Sequence, residues 1–238
     1  MNFIDFIKKI WYNKKTKTQQ RKELKFMDVV TSKEHSVIDN AINIYRYGSF
    51  VYGTFKKDIS DEDFIIIVPD EFSDFDISQF EQRNNQYSIY TKSTWQKKLD
   101  NNDVDAIETY FLPDKYKIKE NEYFKTNINP EKIRENFSRV ASNSFVKCKK
   151  KLTVEKDYNP RVGKKSLWHS LRIIDFGIQI QKYGRIINYD SMNRLHDDIV
   201  NNQRNDWEFF KEKYQPIYNQ MKTTFRLAEK AKAPQQEL

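Results

Sequence analysis

Two aspartates, Asp61 and Asp63, are the residues of this chain best suited by type and spacing to do chemistry. They precede the apolar run 64–68, which is stopped by Pro69 and predicts a short buried strand. Residues i and i+2 of a strand point to the same face, so we expect both carboxylates to lie side by side. Carboxylate oxygens are ligands that Mg²⁺ prefers, and the pair therefore predicts a divalent-metal site.

A glycine–serine pair, Gly48 and Ser49, precedes the aspartates and predicts a tight turn. Gly48 would let the backbone approach a phosphate closely, and Ser49 would offer a hydroxyl and an N–H to its oxygens. Neither pair is specific alone, because Gly–Ser is usually a turn and Asp-x-Asp is usually solvated surface. Together, before a buried strand, they indicate nucleotidyl transfer, in which metals activate an acceptor hydroxyl and neutralise the departing pyrophosphate.

The string from Gly48 to Asp63 resembles the signature of the DNA polymerase β nucleotidyltransferase superfamily, with eleven residues between Ser49 and Asp61. Its Tyr-Gly-Thr segment, 52–54, is similar to the minimal single-chain members, especially a branch associated with RNA repair. The resemblance implies a mixed sheet flanked by helices, a nucleoside triphosphate substrate and Mg²⁺. Glu62 departs from the pattern, since the residue between the aspartates is normally apolar. It is either an additional ligand or, as we favour, an outward-facing charge.

The third carboxylate of the superfamily, which holds a metal and helps deprotonate the acceptor hydroxyl, has no counterpart at its expected place. That place falls near Asn85 and Gln86, which are amides and cannot act as a base. Downstream, the segment 107–113, with its Ile-Glu and Leu-Pro pairs, resembles the closing segment of the RNA-repair branch. Three explanations stay open: Asp105 or Glu108 supplies the carboxylate, the assumed register is displaced, or the enzyme is impaired. We take Glu108 as the candidate catalytic residue.

A second set of candidate ligand-binding residues lies on a predicted helix over residues 165–181. Lys165, His169 and Arg172 recur at i, i+4 and i+7, so one helix face would carry three groups able to donate to phosphate. The same spacing is similar to a second-domain helix of the RNA-repair branch. We therefore expect this trio to contact the triphosphate, with internal salt bridges or plain surface as the alternatives.

The other patterns predict an α+β fold, in which a small mixed sheet flanked by helices is followed by a helical C-terminal domain. We expect a basic amphipathic N-terminal arm over 1–30, a nucleotidyltransferase core over 31–120 and the helical domain over 121–238. The predicted elements are a helix over Ser32–Tyr45, strands over 64–68 and 87–90, and helices over 91–99, from Asp103, over 130–152 and from Trp207.

Composition limits the classes of binding partner and the cellular compartment that we expect for this protein. The net charge of +8 suits an anionic partner, either a nucleic acid or a triphosphate. The single cysteine, Cys148, excludes an internal disulfide and favours a reducing compartment, so we expect a cytoplasmic protein. Lysines beside Cys148 would lower its pKa, but we expect a buried, idle thiol. No apolar run approaches the roughly 18 residues of a transmembrane helix, and we expect no membrane partner.

The sequence as a whole predicts an Mg²⁺-dependent enzyme that transfers a nucleoside monophosphate from a triphosphate, with ATP or CTP expected, to an acceptor hydroxyl. The basic surplus favours RNA as the acceptor, either a tRNA or an RNA 3′ end. The alternatives are AMP transfer to a protein hydroxyl, as in antitoxin-like members, and a catalytically impaired nucleic-acid-binding protein on the same scaffold. The predicted roles are catalysis for Asp61, Asp63 and Glu108, nucleotide binding for Gly48, Ser49, Lys165, His169 and Arg172, and metal binding for Asp61 and Asp63.

Overall fold

The structure, a computed structural model, describes residues 37–57, 59–82 and 85–228. The predicted N-terminal arm (1–30) and the predicted helix start at Ser32 lie outside the described residues. The chain divides into two compact units that interleave in sequence. Among the described residues, the sheet unit comprises 37–48, Asp61–Trp95 and Pro113–Phe124, and the helical unit comprises Ser49–Ser60, Gln96–Leu112 and 125–228. The sequential boundaries expected at 31–120 and 121–238 stay a prediction.

The sheet unit contains a five-stranded sheet with the order β3-β4-β2-β1-β5. β2 and β4 are parallel, whereas the pairs β1–β2, β1–β5 and β3–β4 are antiparallel. The sheet is therefore mixed, and the α+β class predicted from the sequence is confirmed. The strands are β1 (Asn43–Tyr47), β2 (Glu62–Val68), β3 (Gln79–Gln82), β4 (Asn85–Thr91) and β5 (Lys117–Glu120).

The central strand β2 is buried on both faces. On one face, Phe64, Ile66 and Val68 pack with Tyr87 and Ile89 of β4 in the core of the sheet unit. The alternate residues at 65 and 67 are buried as well. A strand covered on both sides needs apolar residues at every position, which explains the continuous run 64–68.

The helix predicted over Ser32–Tyr45 is wrong for its last residues, because Asn43–Tyr47 forms β1. This strand pairs with a neighbour on each side. The buried Asn43 side chain strengthens one edge: its oxygen accepts the N–H groups of Asn121 at 2.8 Å and Glu122 at 3.1 Å. Pairing with distant segments thus overrides a local apolar spacing that is compatible with a helix.

Long helices dominate the helical unit, and two of them begin with a capping asparagine followed by proline: one starts at Pro130 as predicted, and the other starts at Pro160, before the predicted range 165–181. Pro130 occupies the first turn of one helix, and the Asn129 side chain accepts the N–H groups of residues 131 and 132. The Asn159 side chain caps the next helix, which ends at the left-handed Gly184. The helices are α1 (Gly48–Val51), α2 (Lys92–Asp100), α3 (Val104–Tyr110), α4 (Pro130–Thr153), α5 (Pro160–Tyr183), α6 (Asn193–Val200) and α7 (Trp207–Leu227).

Cys148 is buried in α4 and forms no disulfide. Burial raises the pKa of its thiol to about 12, so the neighbouring lysines do not activate it. The expected burial of this thiol is therefore confirmed.

Candidate active site

The predicted metal-binding pair lies at the start of β2. Asp63 is the second residue of the strand and is half-buried, whereas Asp61 directly precedes the strand and is exposed. Side chains alternate along a strand, so Asp63 shares its face with the buried Ile65 and Ile67. The packed strand therefore gives Asp63 a rigid base, at an end of the strand that solvent reaches.

Gly48 lies against Asp63. It follows Tyr47, the last residue of β1, which is paired with Asp63 in the antiparallel register. The φ angle of Gly48 is +63°, a left-handed conformation that residues with a side chain rarely adopt. A Cβ atom at this position would overlap the carboxylate of Asp63. Glycine is thus required both for the backbone conformation and for the close approach of the chain to a predicted metal ligand.

The chain after Gly48 continues as the short helix α1 and then closes in a turn. The N–H of Thr54 donates to the carbonyl oxygen of Ser49 at 3.0 Å. Gly53 is left-handed as well, with a φ angle of +71°. The glycine–serine pair predicted to bind phosphate therefore opens a compact turn that ends at residue 54.

An amide occupies the strand position beside Asp63. In the parallel register of β2 and β4, Asp63 is paired with Gln86, and Glu62 is paired with Asn85. The side chain of Asn85 donates to the hydroxyl of Tyr87 at 3.0 Å, so it lies on the other face of the sheet from Gln86. Gln86 is therefore the residue at the place where the superfamily resemblance leads us to expect a carboxylate.

Glu62 does not belong with the two aspartates. Strand alternation directs it to the opposite face of β2, where it forms an ion pair with Arg46 of β1 at 3.2 Å. Arg46 lies on the neighbouring strand, one position from the direct partner of Asp63. The structure therefore agrees with an outward-facing charge rather than an additional metal ligand.

The donor set around Asp63 is small. Within residues 37–57, 59–82 and 85–228, no three His, Cys, Asp or Glu side chains converge in an arrangement that could hold a metal ion. Mg²⁺ usually keeps several waters and takes one or two protein carboxylates together with substrate phosphates. Two aspartates and the amide oxygen of Gln86 are a suitable set for that ion, because the substrate would supply the remaining oxygens.

The trio predicted to bind the triphosphate does not share one solvent-facing surface of α5. Lys165 is exposed, His169 is half-buried, and Arg172 has 0% exposure. Arg172 donates from one terminal nitrogen to Nδ1 of His169 at 2.9 Å. Because a guanidinium only donates, Nδ1 of His169 must accept and the imidazole is neutral. Burial, followed by the charges of Arg172 and Lys147, lowers the pKa of His169 to about 3.

Glu108 and Arg172 form an ion pair inside the helical unit, and both side chains have 0% exposure. One carboxylate oxygen of Glu108 accepts from Arg172 at 2.9 Å, and the other accepts from the hydroxyl of Tyr52 at 2.6 Å. The guanidinium carbon of Arg172 lies 3.6 Å from the centre of the Tyr52 ring, over its face. The hydroxyl of Tyr189 donates to the backbone carbonyl of Glu108 at 2.6 Å. We call these four residues the buried ion-pair cluster.

This cluster corrects two sequence predictions. Glu108 has both oxygens engaged and is closed to solvent, so it does not fit the role of the missing catalytic carboxylate. Arg172 is equally enclosed and would reach a triphosphate only if the core of the helical unit opened. A sequence signal for burial did exist, because the positions beside Glu108 (106, 107, 109) and beside Arg172 (171, 173, 174) are apolar or small.

Comparison with known protein families identifies a domain in the part of the chain that contains the sheet. Residues 17–128 match the family model described as "Nucleotidyltransferase domain". The match spans Gly48, Ser49, Asp61 and Asp63 together with all five described strands. A search of curated proteins finds no match to the chain.

Among the described residues, no helix combines the length and the hydropathy that a membrane span requires.

One assignment follows from three observations: the mixed sheet, the close approach of Gly48 to Asp63, and the family match. Residues 17–128 of this chain belong to the nucleotidyltransferase domain family of the DNA polymerase β superfamily, and the protein is a transferase.

Proposed function

We propose that the protein transfers a nucleoside monophosphate from a nucleoside triphosphate to a hydroxyl group of RNA, in a reaction that depends on Mg²⁺. The observation that supports this best is the pairing of two features at one end of β2. Asp63 lies on a packed strand, and Gly48 lies so close to it that no side chain fits between them. A protein that only bound nucleic acid would not need carboxylates there, since they repel phosphate.

Asp61 and Asp63 are the residues that would hold the metal. A bound Mg²⁺ would supply neutralisation of the charge that develops on the departing pyrophosphate. Asp63 fixes the position through β2, and the exposed Asp61 completes the carboxylate pair. Gly48 and Ser49 would offer backbone N–H groups and a hydroxyl to the phosphates. Of the predicted trio, the exposed Lys165 is the residue we retain as a phosphate contact.

The choice of acceptor rests on charge. The chain carries a surplus of eight positive charges, which favours RNA over a protein hydroxyl as the acceptor. We propose ATP or CTP as the donor and the cytoplasm as the compartment. AMP transfer to a protein hydroxyl uses the same carboxylates and is the nearest alternative.

The test is to incubate the purified chain and Mg²⁺ with each labelled triphosphate in turn, and to supply tRNA, other RNA, DNA or protein as acceptor. We expect label to enter RNA from ATP or CTP, and to be lost when the metal is chelated. Label that enters only protein would replace RNA with a protein acceptor. Labelling that persists fully without a divalent metal would overturn the proposed role of the aspartates.

A second function, RNA binding by an impaired enzyme, is favoured by one observation: Gln86 stands beside Asp63 in the sheet. An amide cannot take the proton of the attacking hydroxyl, and a positioned base contributes about 10²–10⁴-fold in rate. Gln86→Glu restores a carboxylate at nearly the same volume. If the chain is impaired, this variant should gain at least about tenfold in transfer, because part of that general-base contribution returns.

Asn85→Asp is the matched control, because Asn85 lies on the opposite face of β4 and contacts Tyr87. It adds the same charge in the same segment without placing it beside Asp63. A gain confined to Gln86→Glu would assign the chain to the impaired class. Equal rates for the parent and both variants would show that the parent does not need a third carboxylate at this position.

A further inference from the structure

A basic cleft lies between α4 and α7, entirely within the helical unit. Its volume is about 370 Å³, which falls in the range of roughly 300–1,000 Å³ typical of ligand pockets. One wall comes from α4 and the other from α7. The polar residues that line it are Arg134, Ser138, Asn219, Lys222, Thr223 and Arg226.

The spacing of these residues places them on facing stripes of the two helices. Arg134 and Ser138 are one turn apart on α4, and Lys222 and Arg226 are one turn apart on α7. Four residues advance about 6 Å along a helix axis, so each wall presents polar groups at a regular interval. Three cations, one amide and two hydroxyl groups therefore face a common space, and all of them can donate hydrogen bonds.

No carboxylate lines this space. Glu131 and Glu135, the acidic residues nearest to Arg134 in sequence, are absent from the lining. Among the described residues, no salt bridge involves any of the three cations of the cleft. Other cations of the helical unit differ in this respect, since Arg204, Lys211 and Lys213 each lie within 4 Å of a carboxylate.

The floor of the cleft is rigid and its outer side is open. Phe225, also part of the lining, is 1% exposed and packs on α5 so tightly that a Cβ atom at Gly177 would overlap its ring. Lys222 and Arg226 are exposed at the rim. An enclosed pocket would suit a single small anion, whereas an open trough with cations on both walls suits a strand that passes along it.

We propose that the cleft between α4 and α7 binds the phosphate backbone of single-stranded RNA. Arg134, Lys222 and Arg226 contact successive phosphates, and Ser138, Asn219 and Thr223 donate hydrogen bonds to their oxygens. These contacts give affinity without reading the base sequence. This inference names a second contact site for the acceptor, and to that extent it rests on the proposed function.

The experiment is a salt titration of binding with the full chain and a fluorescently labelled single-stranded RNA. Each phosphate contact to a single strand contributes about 0.7 to the slope of log affinity against log salt. The triple variant Arg134→Ala/Lys222→Ala/Arg226→Ala should therefore have a slope smaller by about 2. Between about 50 and 200 mM salt, the parent should lose roughly twentyfold more affinity than the variant.

The matched control is Arg204→Ala/Lys211→Ala/Lys213→Ala, which also removes three positive charges from the helical unit. Each of these cations is paired with a carboxylate, so we expect less than half the change in slope. Equal slopes for the two triple variants would overturn the proposal, because binding would then follow net charge alone. Millimolar inorganic phosphate at constant ionic strength should not displace the RNA; displacement would assign the cleft to a free anion instead.

Failure of this inference can be told apart from failure of the proposed function. Asp63→Asn should abolish transfer and keep the parent affinity and salt slope for RNA. If the parent binds RNA through the cleft but transfers no nucleotide, the proposed function fails and the cleft stands. If the parent transfers nucleotide to RNA and the triple variant in the cleft binds RNA like the parent, the cleft assignment alone fails.

Discussion

Asp63 and Glu108 are two carboxylates on well-packed elements, and their surroundings differ in one decisive respect. Asp63 lies at the end of β2, beside a glycine and an amide, and solvent reaches it. Glu108 lies in the middle of α3 with 0% exposure, and its two oxygens accept hydrogen bonds from Arg172 and Tyr52. One carboxylate is held on a packed strand at a position that solvent reaches, whereas the other is closed to solvent and has both oxygens engaged within the helical unit.

The two carboxylates should therefore contribute to different properties, one to the rate of the reaction and the other to stability, and a sequence motif does not distinguish these contributions. A carboxylate that solvent reaches at the predicted metal site should matter for rate and little for folding. A buried carboxylate should matter for folding, because removal of its partner leaves a charge in a medium that cannot solvate it. Rate and stability, measured on the same variants, therefore test whether the two carboxylates have been assigned correctly.

The largest effect is expected from Asp63→Asn and Asp61→Asn. Each change removes one predicted ligand of a metal that supplies several kcal/mol of charge stabilisation, so transfer should fall by about 10³-fold or more. The melting temperature should stay within a few degrees of the parent, because neither side chain is part of the core. Near-normal turnover in both variants, in protein that melts like the parent, would remove the metal site from this edge of the sheet.

Next in size is Arg172→Ala, which leaves Glu108 buried without its guanidinium partner. Loss of one partner of a buried ion pair costs about 3–5 kcal/mol. For a chain of this length, that corresponds to a fall of roughly 6–20 °C in melting temperature. The rate per folded molecule and the KM for the triphosphate should not change. Calorimetry measures the melting temperature, and steady-state kinetics measures the rate and the KM.

The double variant Glu108→Gln/Arg172→Met provides the control for Arg172→Ala. Removal of both charges avoids an unpaired buried group, so its stability should lie closer to the parent than that of Arg172→Ala. If Arg172→Ala melts like the parent but binds the triphosphate more weakly, the residue contacts substrate as the sequence predicted.

Gly48→Ala should have a smaller effect on stability and a clear effect on rate. A left-handed residue with a side chain costs about 1–2 kcal/mol, and the new methyl group must also displace the Asp63 carboxylate. Misplacement of a reacting group by about 1 Å can cost roughly 10²-fold in rate. Transfer assays and chemical denaturation of the same preparation measure the two effects separately.

Gly53→Ala is the matched control, since Gly53 is also left-handed but its nearest neighbour is the end of the Asn193 side chain. We expect a similar loss of stability and a much smaller loss of rate. Equal losses of rate in the two variants would show that backbone strain, rather than contact with Asp63, explains the requirement for glycine at position 48.

The smallest effect concerns His169, whose pKa in the folded protein is lowered to about 3. The unfolded chain binds a proton below about pH 6.5 and the folded chain does not, so stability falls as the pH drops from about 6.5 toward 3. The slope from one group is at most about 1.4 kcal/mol per pH unit. His169→Gln should flatten the dependence of the free energy of unfolding on pH, and urea denaturation at several pH values measures that dependence. An unchanged slope would mean that folding does not shift the pKa of His169, so that the imidazole is not held neutral in the folded protein.

The elements predicted correctly are those whose signals are local. The run 64–68 predicts a buried strand because β2 is covered on both faces, and Pro130 predicts the start of α4 because its ring fits the first turn of a helix. β1 was missed because its residues fit a helical period as well as a strand. The strands that decide between the two possibilities come from residues 62–68 and 117–120.

The distinction between local signals and contacts between distant segments also holds for the candidate site. Gly48, Asp61 and Asp63 lie within sixteen residues of one another, and the position of the amide beside Asp63 follows from simple strand pairing. The ion pair between Glu108 and Arg172 joins residues 64 positions apart. Apolar neighbours can indicate that a charged residue is buried, but the sequence does not show which two buried charges meet.

The buried thiol of Cys148 can be used to measure how often the helical unit opens. The chain has no other cysteine, and burial raises the pKa of this thiol to about 12. An alkylating reagent at neutral pH therefore finds almost no thiolate in the closed state and reacts mainly with molecules in which α4 has come away from its neighbours. The rate of alkylation then measures the population of that open state without any engineered label. A ligand that binds the closed helical unit will slow alkylation in proportion to its occupancy.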